Sequence, residues 1–482
     1  MPGLCGLIAL DGSPREAASR AILASMIETL SHDDRYVVLD RLELAGVNAA
    51  VVAYPSPVFR GIRARGHCEE LWYGTIDAGR SIVPDERGPE PAAARDEAPD
   101  GSKQEAASRR LPPSPAGPTP RQRWRFAEDL GGGAADTADG LARLCGSFCG
   151  LRVHPREGRY ELFTDPISSM PLFYRIHQGL LLFAPEAKAL LAPDPSGWSA
   201  DPRSLSFFLT AGYLPPSRHW FEQVQPLPPA TMLTGRLGPA GAGEPPRRKV
   251  YWSFRFRAAE ERSEAALASH LAATIEEVVA SQRIEGARTG VLLSGGYDSR
   301  GIFGAMLRRG LAFSTVTWGH EPDLPESDAV VARALASEAG VAHRFELLDP
   351  HALPRHAAEW VWQVDGAVDS LYNYPQGDGI FRSLAADLDV LVRGDECFGM
   401  KWPYGVPDER TALSCIGLFP FAWHAVLERV VQRDARVALA AEGERAFEEL
   451  RTLAGSATPR DRKDEYYFAV RFQGYLNRVN YY

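Results

Sequence analysis

The residues best suited to chemistry lie in "VLLSGGYDSR", positions 291–300. An apolar run breaks into Ser294, Gly295 and Gly296, then a bulky residue, then Asp298 and Ser299. Where a parallel strand hands over to a helix, such a turn presents backbone N–H groups to an anion, and the helix dipole adds to the attraction. Gly295 and Gly296 allow the tight turn and the close approach of a phosphate. Ser294 and Ser299 offer hydroxyls, and Leu292, on the incoming strand, is grouped with them as a cofactor-binding position. Asp298 is unsuited to phosphate itself but suited to a Mg²⁺ ion that bridges phosphates. A second pattern, "LVRGDECFG" at 391–399, places Asp395 and Glu396 just after Gly394 at another strand end. Ligands of doubly wound sheets bind along that edge, so Asp395 is placed to share a Mg²⁺ with Asp298. The candidate catalytic residues are Asp298, Asp395 and Glu396, and the candidate metal ligands are Asp298 and Asp395. The loop lacks the Gly-Lys-[Ser/Thr] of a Walker A motif and is not a GxGxxG dinucleotide turn. Its acid and missing lysine point to holding Mg-pyrophosphate rather than to γ-phosphate transfer.

The elements that must position these groups can be read around them. Helix-like stretches (about 262–282, 299–309 and 326–339) alternate with the strand-like runs "RTGVLLS", "AFSTVTW", "AHRFELL" and "LDVLVRG". Strands alternating with helices predict an α/β doubly wound parallel sheet. From about 408 the chain reads as helical. Residues 1–236 read differently, as mostly short strands with a helix over 15–30. Residues 84–122 are rich in Pro, Ala, Gly and charge and are expected to be a disordered insertion. "LGPAGAGEPPRRK" (237–249) is expected to be a linker to a second domain over 250–482.

Composition bounds the partners. The chain has 482 residues, enough for two or three domains, and 45% of them are hydrophobic. A net charge of −9 argues against general affinity for nucleic acid. No apolar run is long enough to span a bilayer, and the N-terminus lacks the features of a secretory signal, so a cytoplasmic protein is expected. The cysteines Cys5, Cys68, Cys145, Cys149, Cys397 and Cys415 form no CxxC pair, and Cys145 and Cys149 are read as reduced, buried thiols. Five lysines stand against 48 arginines, leaving Lys103, Lys188, Lys249, Lys401 and Lys463 as the only candidates for a catalytic lysine.

Taken together, these motifs resemble the asparagine synthetase family. "SGGYDSR" and "RGDECFG" match its two ATP-site motifs, and "TWGHEPDLPESDAVVARALASEAGVAHR" is similar to the strand and helix that follow. "CGLIAL", "LCGSFCGLRV", "FTDPISSMPLFYR" and "LLFAPEAKALL" resemble successive segments of its glutaminase domain. The resemblance covers nearly the whole chain in the family's order. It implies an Ntn-hydrolase-like αββα sandwich (α+β) followed by an ATP-pyrophosphatase domain. It implies ATP and Mg²⁺ as cofactors, with Ser294, Gly295, Gly296, Asp298 and Ser299 holding pyrophosphate. By the same analogy a substrate carboxylate attacks the α-phosphate and an amine traps the acyl-adenylate.

The sequence also departs from the family. There the nucleophile is an N-terminal cysteine whose own amino group is the base, whereas Cys5 sits behind Met-Pro-Gly-Leu. The family's oxyanion segment is matched by "YGTIDA" (73–78). Gly74 is kept, but Tyr73 replaces the donor asparagine, a loss worth about 3 kcal/mol in the transition state. Arg41 stands where the family grips the glutamine carboxylate. A silent glutaminase beside an intact pyrophosphate loop is similar to β-lactam synthetases and lasso-peptide cyclases, which close an activated carboxylate onto an amine of the same substrate. The family's C-terminal lysine has no counterpart in context, since Lys401 and Lys463 read as surface residues. Truncation, a substitute arginine, or completion by a second copy or partner protein are all open. Expected substrates are a small-molecule or peptide carboxylate and an amine. A glutamine-hydrolysing asparagine synthetase and a non-catalytic ATP-binding subunit are the alternatives. The aromatics at 360–362 and 372–374 and the acids Asp365, Asp369 and Asp378 could line or orient an acceptor.

Overall fold

The computed structural model describes residues 3–11, 16–55, 60–65, 68–77, 138–194, 196, 198–238, 244–254, 262–284, 286–368, 374–394, 412–413, 429, 431–456 and 458–476. The expected insertion over 84–122 lies outside them, as do Asp395 and Glu396.

The N-terminal half is two packed antiparallel sheets. Strands β1 (Gly3–Ala9), β2 (Val37–Leu44), β3 (Val47–Ala53), β8 (Phe173–His177), β9 (Leu180–Ala184) and β10 (Gln225–Pro226) make the first, in the order β10-β8-β9-β1-β3-β2. Strands β4 (Arg60–Arg65), β5 (Glu69–Asp77), β6 (Cys145–His154), β7 (Arg159–Thr164), β11 (Thr231–Arg236) and β12 (Arg247–Val250) make the second, in the order β12-β11-β7-β6-β5-β4. Alternation decides which side chains fill which layer. Leu4, Ile8, Ala49, Val51, Tyr73, Cys149 and Leu151 fill the space between the sheets. Their neighbours Cys5, Leu7, Ala50 and Val52 face outward and are covered by α1 (Glu16–Leu30) and α3 (Ala187–Leu191). Helix α1 turns Leu23, Met26 and Leu30 onto that face. Short helix α2 (Ala138–Ala142) covers Trp72, Phe148 and Phe163 on the far side of the second sheet. The order is therefore αββα, as the resemblance implied. The stretch expected as a linker ends in structure. Thr231–Thr234 of β11 pair with Arg247–Val250, an edge strand whose four residues are all exposed, so no apolar alternation marks it.

The C-terminal half holds a parallel sheet. Strands β13 (Thr289–Leu292), β14 (Ser314–Gly319), β15 (His343–Leu347) and β16 (Val390–Val392) lie in the order β15-β14-β13-β16. Helices α6 (Tyr297–Arg308) and α7 (Asp328–Ala339) pack together with Leu293 on one face. Helix α9 (Tyr374–Asp387) packs on the other, through Ile380 and Leu384 against Val316. Strand order thus reverses between β13 and β16, and both sequence motifs follow those two strands. Helix α5 (Glu264–Ser281), capped by the Ser263 hydroxyl, precedes β13, and α7 is capped by Ser327 and stopped by Gly340 at φ +68°.

A common core joins the halves. Phe207 of α4 (Pro202–Ala211) and Tyr213 pack with Trp360 of α8 (Ala352–Gln363), Leu450 of α10 (Arg433–Arg451), Tyr466 of α11 (Pro459–Tyr466) and Val470 of the π-helical turn that follows. Trp360 is therefore a core residue. Lys463 is also buried, paired with Asp464 at 2.6 Å, which corrects its reading as a surface lysine. Among the described residues no helix is long and apolar enough to cross a membrane.

Candidate active site

The site is built at the C-terminal edge of the parallel sheet, at the point where strand order reverses, which is where open α/β sheets bind ligands. Strand β13 ends at Leu292, a partly buried residue in register with Val316 of β14. The chain is then pinned by two hydrogen bonds to β14. The Leu293 N–H donates to the Val316 carbonyl at 2.9 Å, and the Thr317 hydroxyl donates to the Leu293 carbonyl at 2.5 Å. Gly296 is the N-cap of α6 and provides no side-chain cap. The first-turn N–H groups of α6 are thus left to an anion.

The serines work within the loop. Ser299, buried beneath it, accepts from the Ser294 N–H at 3.1 Å and lies 2.9 Å from the Ser294 hydroxyl and 3.2 Å from the Gly296 carbonyl. The Gly296 N–H donates to the Ser294 hydroxyl at 3.1 Å. Asp328, at the start of α7, accepts the Gly295 N–H at 2.8 Å. Sequence reasoning missed this carboxylate, 33 positions away, because only the crossover of β14 brings it to the loop. Asp298 is half-buried in the first turn of α6, and Tyr297 beside it is exposed with the Arg300 guanidinium 4.7 Å from its ring centroid.

The two motifs meet at Gly394. A Cβ there would lie 2.7 Å from the Asp298 carbonyl carbon and from the Ser299 nitrogen. Only glycine allows the turn after β16 to lie against the first turn of α6. The structure thereby brings Asp298 next to the residue that precedes Asp395, while Asp395 and Glu396 themselves lie outside the described residues. Among those described, no cluster of three His, Cys, Asp or Glu gathers as a metal centre. The residues present fit ATP's phosphates: a sharp Gly-Gly turn, uncapped helix N–H groups, and an acid beside them for Mg²⁺.

The glutaminase-like positions tell a different story. Cys5 is fully buried in mid-strand, with Gly3 and Leu4 before it paired to Val52 and Val51 of β3. Burial pushes its thiol up to about 12, although Arg41, across Ala50 from it, acts in the opposite direction. Cys5 faces α1, while Tyr73 lies in the layer between the sheets, so the sheet backbone separates them. Gly74 keeps a left-handed φ of +136°, which β6 packs against too closely for any side chain. Neither Cys145 nor Cys149 is in a disulfide; Cys149 is fully inside as expected, whereas Cys145 is only partly buried.

Comparison with known families accords with both halves. Residues 135–246 match a glutamine amidotransferase domain, and residues 270–383 match asparagine synthase. The two matches together support an asparagine synthetase family protein. The second match spans the Ser294–Ser299 loop and Asp328, whereas the first begins beyond Cys5, Arg41 and Tyr73. No curated protein matches. Similar solved structures include glutamine phosphoribosylpyrophosphate amidotransferase from B. subtilis complexed with ADP and GMP, at 10% identity over 73% of this chain and 67% of that one, TM-score 0.26. Another is the allosteric regulatory enzyme of purine biosynthesis, at 10% identity over 73% and 81%, TM-score 0.27. At these scores neither informs the site. The asparagine synthase match supports an ATP-dependent ligase of the amidotransferase type.

Asp365 is not where an acceptor-orienting acid would be. Its side chain is buried at the junction of the halves, where the carboxylate accepts from the Ala187 N–H at 2.6 Å and from Lys188 at 2.9 Å. Asp369 lies outside the described residues, and of the Asp378 side chain nothing is described.

Proposed function

We propose that this protein is an AMP-forming amide ligase that adenylates a substrate carboxylate and couples it to an amine other than glutamine-derived ammonia. The carboxylate oxygen attacks the α-phosphorus of ATP, and the bond to the β-phosphate breaks as pyrophosphate leaves. The amine nitrogen then attacks the acyl carbon, AMP departs, and the nitrogen loses a proton. The α6 N-terminus and the Gly295–Gly296 turn hold the departing pyrophosphate. Asp298 with Asp395 would hold Mg²⁺, which would offset phosphate charge. Substrates in which carboxylate and amine belong to one molecule suit this reading, since a shared pocket replaces delivery of a second reactant.

One contrast carries the proposal: the ATP loop is assembled against Gly394, while the Cys5 thiol is buried under α1. The test is ATP–pyrophosphate exchange screened across amino acids and peptide carboxylates, run beside a glutaminase assay. Carboxylate-dependent exchange without glutamate release supports it. Glutamate release from glutamine would return the chain to the ordinary glutamine-dependent synthetases. MgATP binding with no exchange on any carboxylate would favour a non-catalytic subunit.

A further inference from the structure

The junction between the halves holds buried charges that the proposed reaction does not use. Lys188, 7% exposed, pairs with the fully buried Glu186 and with Asp365, 2.9 Å away. His32 Nε2 lies 2.9 Å from the same Glu186. Buried ions are tolerable only when their hydrogen bonding is completed, and here backbone groups of both halves complete it.

The consequences fall on residues 365–368. Asp365 is held at φ +53°, a left-handed conformation unfavourable for a residue with a Cβ. Its carboxylate takes the Ala187 N–H at 2.6 Å and the Lys188 ammonium, and its carbonyl takes the Trp220 indole N–H at 3.0 Å. The Leu214 N–H donates to the Ala367 carbonyl at 3.0 Å, and Tyr213 bridges to Val368. Every one of these partners comes from the sequence before residue 221, so the N-terminal half grips Asp365, Ala367 and Val368 of the other.

Those residues lead towards α9. Phe381 stacks edge-on against Trp318, near the end of β14, at 5.6 Å. At the other end of α9, Leu388 packs against Gly290, near the start of β13. Helix α9 therefore runs from the C-terminal to the N-terminal edge of the sheet. Its backbone before Ile380 therefore begins on the side of the edge that carries the Ser294–Ser299 loop and Gly394.

We propose that Lys188 is a positioning residue for the ligase site: through Asp365 it lets the N-terminal half fix residues 365–368 and, with them, the leading end of α9 that walls the ligand edge. The proposal rests on reading that edge as the MgATP site. It gives a half whose Cys5 is buried a continuing role, as a brace rather than as a source of ammonia.

Hydrogen exchange on the full chain, with MgATP as the probe, tests it in wild type, Lys188→Met and Lys188→Arg. MgATP is expected to slow exchange in the first turn of α6 in all three. In wild type and Lys188→Arg it should also slow peptides covering 365–381. In Lys188→Met those peptides should exchange at least ~10-fold faster without ligand and gain no protection with it. Wild-type exchange over 365–381 in Lys188→Met, or full MgATP protection there, would overturn the proposal. So would acceleration spread equally over β1, β3 and β13, or an equal loss in Lys188→Arg, since these reduce Lys188 to general packing. If MgATP fails to protect α6 even in wild type, the ATP-site reading falls, and the ligand-free comparison still decides the brace.

Discussion

Substituting Gly394 by alanine tests whether the two motifs form one site. The new methyl would sit 2.7 Å from the Asp298 carbonyl carbon and the Ser299 nitrogen and 3.0 Å from the Asp298 oxygen. All three are backbone atoms of a helix turn that Ser299 ties to Ser294 and Gly296. That turn cannot yield as a side chain would, so the chain after β16 must retreat by about 0.7 Å to reach ordinary contact at 3.4 Å. Overpacking of this kind costs roughly 1–3 kcal/mol. At about 2–4 °C per kcal/mol the protein should still fold. Binding should suffer more, because the displaced turn continues into Asp395, and misplacing an active-site group by ~1 Å can cost about 100-fold. Titration calorimetry is expected to show the Kd for MgATP rising by about 10–100-fold, while metal-free AMP binding stays within about threefold. An unchanged MgATP affinity in a folded Gly394→Ala protein would show that the β16 turn and α6 do not share the ligand.

Three further outcomes are expected. Ser299→Ala removes the hydroxyl to which Ser294 is bonded, at about 1–2 kcal/mol, and should weaken Mg-pyrophosphate binding by about tenfold, as read by competition with a fluorescent nucleotide. Asp328→Asn keeps an acceptor for the Gly295 N–H but removes a negative charge beside the anion site, so pyrophosphate should bind a few-fold more tightly; weaker binding would make the carboxylate a ligand-side group. Burial raises the Cys5 thiol to about 12, so its thiolate is scarce at pH 8 and grows only as pH rises towards 12. Iodoacetamide should therefore leave Cys5 unmodified in the folded chain at pH 8 and label it after denaturation, as followed by peptide mass analysis.

Much of the second half was legible because its signals are local. A buried run ending in Ser-Gly-Gly marks β13, and Ser263 and Ser327 mark helix starts by hydroxyls that bond N–H groups within the same turn. Strand β12 escaped because its residues are exposed and its neighbourhood reads as Pro- and Gly-rich, so only pairing with β11 makes it a strand. Asp328, and the buried roles of Lys188 and Asp365, escaped for another reason. Their partners lie far along the sequence, and a single carboxylate or ammonium gives no local sign of whether it will meet solvent or a buried ion. The reading of Cys5 rested on its position behind Leu4, and the structure adds a cause that sequence could not supply, the packing of α1 over the thiol.

Strand β1 has one practical corollary. In an enzyme whose nucleophile is its own first residue, any extra peptide at that end abolishes the reaction. Here Gly3 and Leu4 are already woven into the sheet ahead of Cys5. Affinity tags and fusion partners attached upstream should therefore leave the proposed ATP–pyrophosphate exchange intact, and this half can be tethered to a surface or another protein by that end.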